Sequence, residues 1–269
     1  MLPRVAVLIA LASACIAVGA QEKKSAGSLP PVTVTAAARD PVEKSYRKMV
    51  QGMDLFERLR PAMAPNAVLR FKLLPRRQST DLSHVLLEVV GSTFAYEVPI
   101  AADQTFTLQR DRKAIAENAI VSPNRKKLTM TWRTDIRTPG LPPNTRRLGD
   151  MRLECLVGLE ADLVSNTGAL GRLTNLFSDP KSYCDRKDTQ YLFFADRPVF
   201  NVALAAGGRR ESLPIQQLYA GASDDPGLKN DLPFCDCEVL VDRTYFLPLG
   251  DRSWPDDTLV EFEYMDDRP

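Results

Sequence analysis

The chain has 269 residues, with 35 Lys or Arg against 34 Asp or Glu and a single histidine, so its formal net charge is +1. A balance this even excludes the global cationic footprint of a DNA- or RNA-binding protein, and the lone His84 excludes a zinc site built on paired imidazoles. With 44% hydrophobic residues there is material for a substantial core, in one large domain or two small ones.

Residues 1–20, MLPRVAVLIALASACIAVGA, read as a secretory signal peptide: Arg4 marks the n-region, an apolar run extends from Val5 to about Val18, and Val18 and Ala20 stand where a signal peptidase requires small side chains. Cleavage is expected after Ala20. The run is shorter than the roughly 20 apolar residues of a membrane anchor and is interrupted by Ser13, so no transmembrane segment is expected in the mature chain. Lipidation at Cys15 is the alternative processing, but Ala12 stands where a lipid-attachment signal carries leucine. The expected location is therefore periplasmic or secreted, with an outer-membrane lipoprotein as the second choice. Residues 21–39 mix small residues, charges and Pro30-Pro31 and read as a flexible tether.

A helix is expected from about Pro41 to Leu59. Asp40 can cap it, Glu43 stands in capping-box spacing, Val42, Tyr46, Met49, Met53, Phe56 and Leu59 recur at intervals of three and four, and Pro61 should stop it. From Ala67 the period changes to two, with Ala67, Leu69, Phe71 and Leu73 on one face and Arg70 and Lys72 on the other. VLLEVVG, TFAYEVPI, TFTLQ and LTMTWRTDI continue as short strands, the last with Leu128, Met130 and Trp132 facing one way. This stretch predicts a β-sandwich-like half over residues 40–138.

TPGLPPNTRRLGD is the candidate boundary before a second β-rich half, residues 139–269. Here MRLECLVGL reads as a strand and LGRLTNLF as a short helix. RPVFNVALAA and RRESLPI read as a hairpin turned by Gly207-Gly208, and EVLVDRTYFLPL and TLVEFEYM as further strands. The fold class expected is mainly β, with one amphipathic helix in front and short helices in the second half.

Three resemblances attach to particular residues. LPPVTVTA, within the tether, resembles the segment near the mature N-terminus of TonB-dependent outer-membrane receptors, which implies docking by strand addition. Residues 67–109, through AADQTFTLQ, resemble transthyretin-like (carboxypeptidase regulatory-like) modules, which implies a β-sandwich; Gln104 stands near the place of the usual turn glycine. With RTDIRTPGLPPNTRRLGDMRLEC and DRSWPDDT, the chain is similar to uncharacterised exported proteins of Gram-negative bacteria, which implies export and no activity.

Four cysteines follow the signal: Cys155, Cys184, Cys235 and Cys237. In an oxidising compartment they read as two disulfides. Residues two apart in a strand lie about 7 Å apart, against the 5 to 6 Å usual across a disulfide, so Cys235 and Cys237 are expected to bond to Cys155 and Cys184 in either order. A four-thiolate metal site competes, with the compartment against it. No cofactor or metal site is expected.

Chemistry-bearing motifs are sparse. His84 reads as a surface residue at a strand entrance. Ser45 to Lys48 and Ser178 to Lys181 have Ser-x-x-Lys spacing without the companion motifs of acyl-transfer enzymes, and Ser45 to Lys48 fits the polar side of the first helix. Residues 110–152 hold eleven Lys or Arg against four Asp or Glu. That concentration suggests an anion-binding face from Arg125, Lys126, Lys127, Arg133, Arg137, Arg146 and Arg147, against a reading as surface charge offset by the acidic residues 251–269. Asp251, Asp256 and Asp257 surround Trp254, a combination able to bind or cleave a sugar. Asp224, Asp225, Asn230 and Asp231 lack the spacing of an EF-hand calcium loop. The candidate ligand-binding residues are thus Trp254, Asp256, Asp257, Arg133 and Arg137, with an envelope protein or glycan as candidate partner. The expected function is a non-enzymatic binding or assembly module; the alternative is a carboxylate-based hydrolase of envelope glycans.

Overall fold

The computed structural model of the chain describes residues 42–77, 79–164, 180–187, 191–219 and 240–267. The signal, the tether with its LPPVTVTA segment, the Asp40-Pro41 helix start and the LGRLTNLF helix lie outside them.

The first helix begins later than its sequence signals suggest. Val42 is buried in extended backbone, β1 (Lys44–Ser45) pairs with β6 (Ile120–Pro123), and α1 runs over Tyr46–Met63. Ser45 is the N-cap, its Oγ accepting from the Lys48 N–H at 3.3 Å, so the Ser-x-x-Lys string is a helix start. The expected apolar face is present: Tyr46, Met49, Met53 and Phe56 are buried. Pro61 does not stop the helix. It removes one backbone donor, and the last turn still closes through Ala64 N–H on the Arg60 carbonyl at 2.9 Å.

Two antiparallel sheets follow. One has the order β1-β6-β3-β4, with β3 at Leu87–Val90 and β4 at Ala95–Val98. The other has the order β5-β2-β7, with β2 at Val68–Pro75, β5 at Thr105–Phe106 and β7 at Met130–Arg137. A short helix, α2 (Arg112–Ala116), capped by Asp111, leads into β6. Leu87, Val89, Val98 and Val121 of the first sheet share one core with Phe71, Leu73, Phe106, Met130 and Trp132 of the second and with Tyr46, Met49 and Met53 of α1. The period-two pattern is thus a sandwich-like pair of sheets with a helix packed on it. Leu128 departs from it: it sits in a turn at φ 63° and is 53% exposed, so it does not share the face of Met130 and Trp132.

The largest correction concerns MRLECLVGL, which is not a strand. After β8 (Thr145–Arg147) the chain forms α3, Leu148–Glu160, with 11 of its 13 residues buried. A helix covered on all sides shows no apolar stripe, and its charged residues at alternate positions, Asp150, Arg152 and Glu154, imitate a strand. All three are engaged. Asp150 accepts from the Thr138 N–H and hydroxyl at 2.7 and 2.8 Å, and Arg152 donates to the Leu249, Asp251 and Trp254 carbonyls. Glu154 accepts from Ile136 N–H at 3.0 Å.

Around α3 stand the remaining antiparallel strands: β10 (Val199–Ala206), β11 (Arg209–Ser212) and β13 (Leu259–Tyr264) in the order β11-β10-β13-β8, and β9 (Leu192–Phe194) with β12 (Thr244–Phe246). The β10–β11 hairpin forms as expected, with Gly207 and Gly208 at φ 56° and 81°, the left-handed pair a tight hairpin turn demands. The fold is mainly β, with antiparallel sheets and a buried central helix.

The cysteine pairing is also corrected. Cys155 of α3 bonds to Cys184 at the end of α4 (Pro180–Cys184), with Cα atoms 6.1 Å apart and both residues buried. The expectation that Cys235 and Cys237 take these two as partners fails because Cys155 lies on a helix that packs against α4. Cys235 and Cys237 lie outside the described residues.

Candidate functional site

Alternation along β7 brings Arg133, Asp135 and Arg137 to one side of the strand, in register with Lys72, Arg70 and Val68 of β2. The chemistry gathers where the last of these meets the second group of sheets. Arg137 donates from Nε to Asp135 at 2.8 Å and from both terminal nitrogens to Asp196, at 2.8 and 2.9 Å, a bidentate geometry. Lys72 reaches the same Asp196 at 2.7 Å. Burial would raise the Asp196 carboxyl, but Arg137 and Lys72 together hold it well below the usual carboxylate range.

Beside this cluster Arg146 of β8 is buried, donating to the Ile136 carbonyl at 2.8 Å and to Glu154 at 2.6 Å. Burial raises the Glu154 carboxyl, and Arg146 opposes that shift. A third guanidinium, Arg197, follows Asp196 in the turn between β9 and β10. It lies 4.1 Å over the Tyr264 ring and donates to Asp266 at 2.7 Å and Asp267 at 2.8 Å. Behind them, Tyr191, Phe193, Tyr245, Phe262 and Tyr264 run as a ladder with successive ring centroids 4.8 to 5.9 Å apart.

Together these elements line a recess of about 140 Å³. Arg137, Arg146, Arg197 and Asp196 face it with Asn144, Tyr245 and Tyr264. Two of its residues carry donors with no hydrogen-bond partner among the described residues: Arg146 Nε and the Tyr245 hydroxyl, in residues 6% and 0% exposed. Leaving such groups unpaired is costly, so the walls of the recess hold hydrogen-bonding capacity that the described fold leaves unused, with both atoms closed to solvent. A second recess, about 210 Å³, lies between α1 and β2 around Met53, Phe56, Phe71 and Leu108 and is more apolar.

The residues singled out in the sequence are divided by the fold. Arg137 and Arg146 come together in the first recess. Arg133, buried next to it, donates to the Leu192 carbonyl at 2.8 Å and lies 4.9 Å over Phe194. Arg125 is spent on the Asp81 and Ser83 carbonyls, while Lys126 and Lys127 are exposed in the turn before β7 and Arg147 is half-buried on β8. Trp254 is 2% exposed, with the Arg209 guanidinium 3.7 Å over its ring, so it presents no open platform. Asp256 is bound by Arg152 at 2.5 Å, and Asp257 is exposed. Hence DRSWPDDT acts as a loop locked onto the buried Arg152. His84 is exposed at φ 53° before β3. Asp224, Asp225, Asn230, Asp231 and Ser178 lie outside the described residues, and no cluster of metal-ligating side chains occurs among the described ones.

Asp196, Arg197, Tyr245 and Tyr264 were not marked by the sequence. Arg197 opens the segment RPVFNVALAA, expected as a strand, and the tyrosines fall in the strand segments EVLVDRTYFLPL and TLVEFEYM, with nothing to single them out. Compared with known proteins, the chain matches no family model, no curated protein and no solved structure.

Proposed function

We propose that this chain is an exported, non-enzymatic binding module of the bacterial cell envelope, and that the arginine-lined recess between β7, β8, β9 and β13 holds its ligand. The observation that carries this reading is the pair of unpartnered donors, Arg146 Nε and Tyr245 hydroxyl, in buried side chains that line the recess. A binding role is supported over catalysis by the state of the carboxylates there. Asp135, Asp196 and Glu154 are each paired with an arginine, which fixes their geometry as parts of the wall. The hydrolase alternative required two open carboxylates beside an aromatic face; Trp254 is covered, and Asp256, half-buried, is paired with Arg152. Export is supported by the signal-like residues 1–20; among the described residues no helix is long and apolar enough to cross a membrane.

The test is to record arginine Nε–H and tyrosine signals by NMR while titrating envelope glycan fragments and short peptides into the purified chain. Selective shifts at Arg146 and Tyr245 are expected. A panel that leaves both unmoved counts against the recess, and recovery of the protein only from the cytosolic fraction counts against the compartment.

A further inference from the structure

We propose that the recess takes a ligand bearing a single carboxylate, with Arg197 as the group that grips it and Asp266 and Asp267 as internal competitors for that arginine. This rests on the reading of the recess as the binding site.

The three arginines differ in how firmly they are held. Arg137 has three donors committed to Asp135 and Asp196, and Asp196 is braced from the other side by Lys72. Arg146 is paired with Glu154, with side chains 7% and 9% exposed, so parting them would strand a buried charge. Arg197 is different. Its partners Asp266 and Asp267 have side chains 55% and 37% exposed, and it is itself 37% exposed. Exposed pairs contribute little net stability, so one carboxylate exchanges for another at small cost. The cation at the recess is thus releasable while the other two form a fixed floor.

The internal contact also defines what fits. Asp267 is held jointly by Arg197 and by Asn144, whose Nδ2 donates to it at 3.1 Å, and both residues line the recess. A ligand carboxylate taking that position meets the same two groups, with Arg197 already oriented over the Tyr264 ring. Arg146 Nε and the Tyr245 hydroxyl, closed to solvent in the wall, become available to a further acceptor only if the wall shifts on binding.

Charge decides between a monoanion and a dianion. Lys72, Arg137, Arg146 and Arg197 face Asp135, Asp196, Glu154, Asp266 and Asp267, four cations against five anions. Asp266 and Asp267 keep their charges when they let go of Arg197, so the surroundings do not turn positive, and a singly charged carboxylate meets less repulsion there than a phosphate dianion. The volume, about 140 Å³, lies below the roughly 300 to 1,000 Å³ of pockets for larger ligands, so what enters is a small acid or the end of a chain.

The test titrates the full chain at low salt, followed by NMR, with propionate as a free acid and with N-acetyl-alanyl-alanine and its C-terminal amide as a chain end. Inorganic phosphate and N-acetylglucosamine complete the set. The peptide acid should bind and its amide should not; binding of propionate as well assigns the site to free acids, and binding of the peptide alone assigns it to chain ends. R197Q should lower the affinity at least tenfold, while D266N/D267N should raise it roughly two- to fivefold, the range an exposed ion pair supports. Equal binding of acid and amide, an unchanged affinity in D266N/D267N, or preferred binding of phosphate would overturn the proposal. Should N-acetylglucosamine alone shift Arg146 and Tyr245, the carboxylate proposal falls and the recess stands; should no compound move them, both fall.

Discussion

Arg146 of β8 and Glu154 of α3 meet at 2.6 Å with both side chains less than a tenth exposed, and the same carboxylate oxygen accepts the backbone N–H of Ile136 on β7. One carboxylate therefore fixes a helix and two strands from different sheets, at the floor of the recess.

Removing one partner of a buried pair leaves the other desolvated and unmatched, at a cost of about 3 to 5 kcal/mol. E154L should lower the urea unfolding free energy by that order, whereas R146M/E154L, which removes both charges, should lose distinctly less. Equal losses in the two variants would mean that packing, not charge, sets the stability there.

The disulfide offers a second check. Cys155 and Cys184 are 29 residues apart, and closing a loop of that length restricts the unfolded chain by roughly 3 to 4 kcal/mol on the chain-entropy model. C155A/C184A should unfold at a correspondingly lower urea concentration. Peptide mapping under non-reducing conditions should recover the Cys155–Cys184 linked pair; finding Cys155 linked to Cys235 or Cys237 would refute the pairing.

What the sequence revealed depended on whether burial was one-sided. β2, the face of α1 and the Gly207-Gly208 hairpin were readable because each has one face in the core and one in solvent, or needs a backbone conformation that glycine supplies. In α3 that logic fails: Met151, Leu153, Cys155 and Val157 are fully buried, and so are Asp150, Arg152 and Glu154 between them, so no period marks a helix. The site follows the same rule. Arg137 and Arg146 stood out in a basic stretch, but Asp196 and Tyr245 become site residues only when β9 and β12 pair beside β13, a long-range event with no local signature.

Close packing of α3 predicts a sensitive glycine. A Cβ on Gly149 would stand 2.3 Å from the Met63 carbonyl oxygen and 2.9 Å from that of Asp256, both backbone atoms that cannot swing away. The Gly149 N–H also donates to Asp256 at 2.9 Å, so the loop and the helix start are held together at this point. G149A should therefore destabilise by about 1 to 3 kcal/mol, although alanine favours helices. The same change at Gly140, where a Cβ would meet nothing within 4 Å but φ is +78°, tests backbone strain without crowding. A thermal-melting comparison in which G149A matches the parent chain would refute the close approach.

Asp196 sets the acid limit of the fold around the recess. Burial by itself would raise its carboxyl, yet the bidentate Arg137 and Lys72 hold it below the ordinary value of 3.8. A carboxyl with a depressed folded-state pKa binds fewer protons folded than unfolded just below its ordinary value, so stability falls as pH falls there. Its contribution is complete above about pH 4 and is lost progressively below. Lys72 and Arg137 belong to adjacent strands, β2 and β7, and Asp196 to the turn after β9, so its protonation removes an ionic tie between the first sandwich and the second group of sheets. D196N should lower the melting temperature at pH 7, and its curve should flatten between pH 4 and 2, where that of the parent chain still descends. E117Q provides the contrast. Glu117, held at about 2 chiefly by the Thr93 hydroxyl, sits beside the β3–β4 hairpin and should leave the Asp196 part of the acid limb in place. An acid limb equally steep in D196N and the parent chain would mean that Asp196 is not the group being titrated.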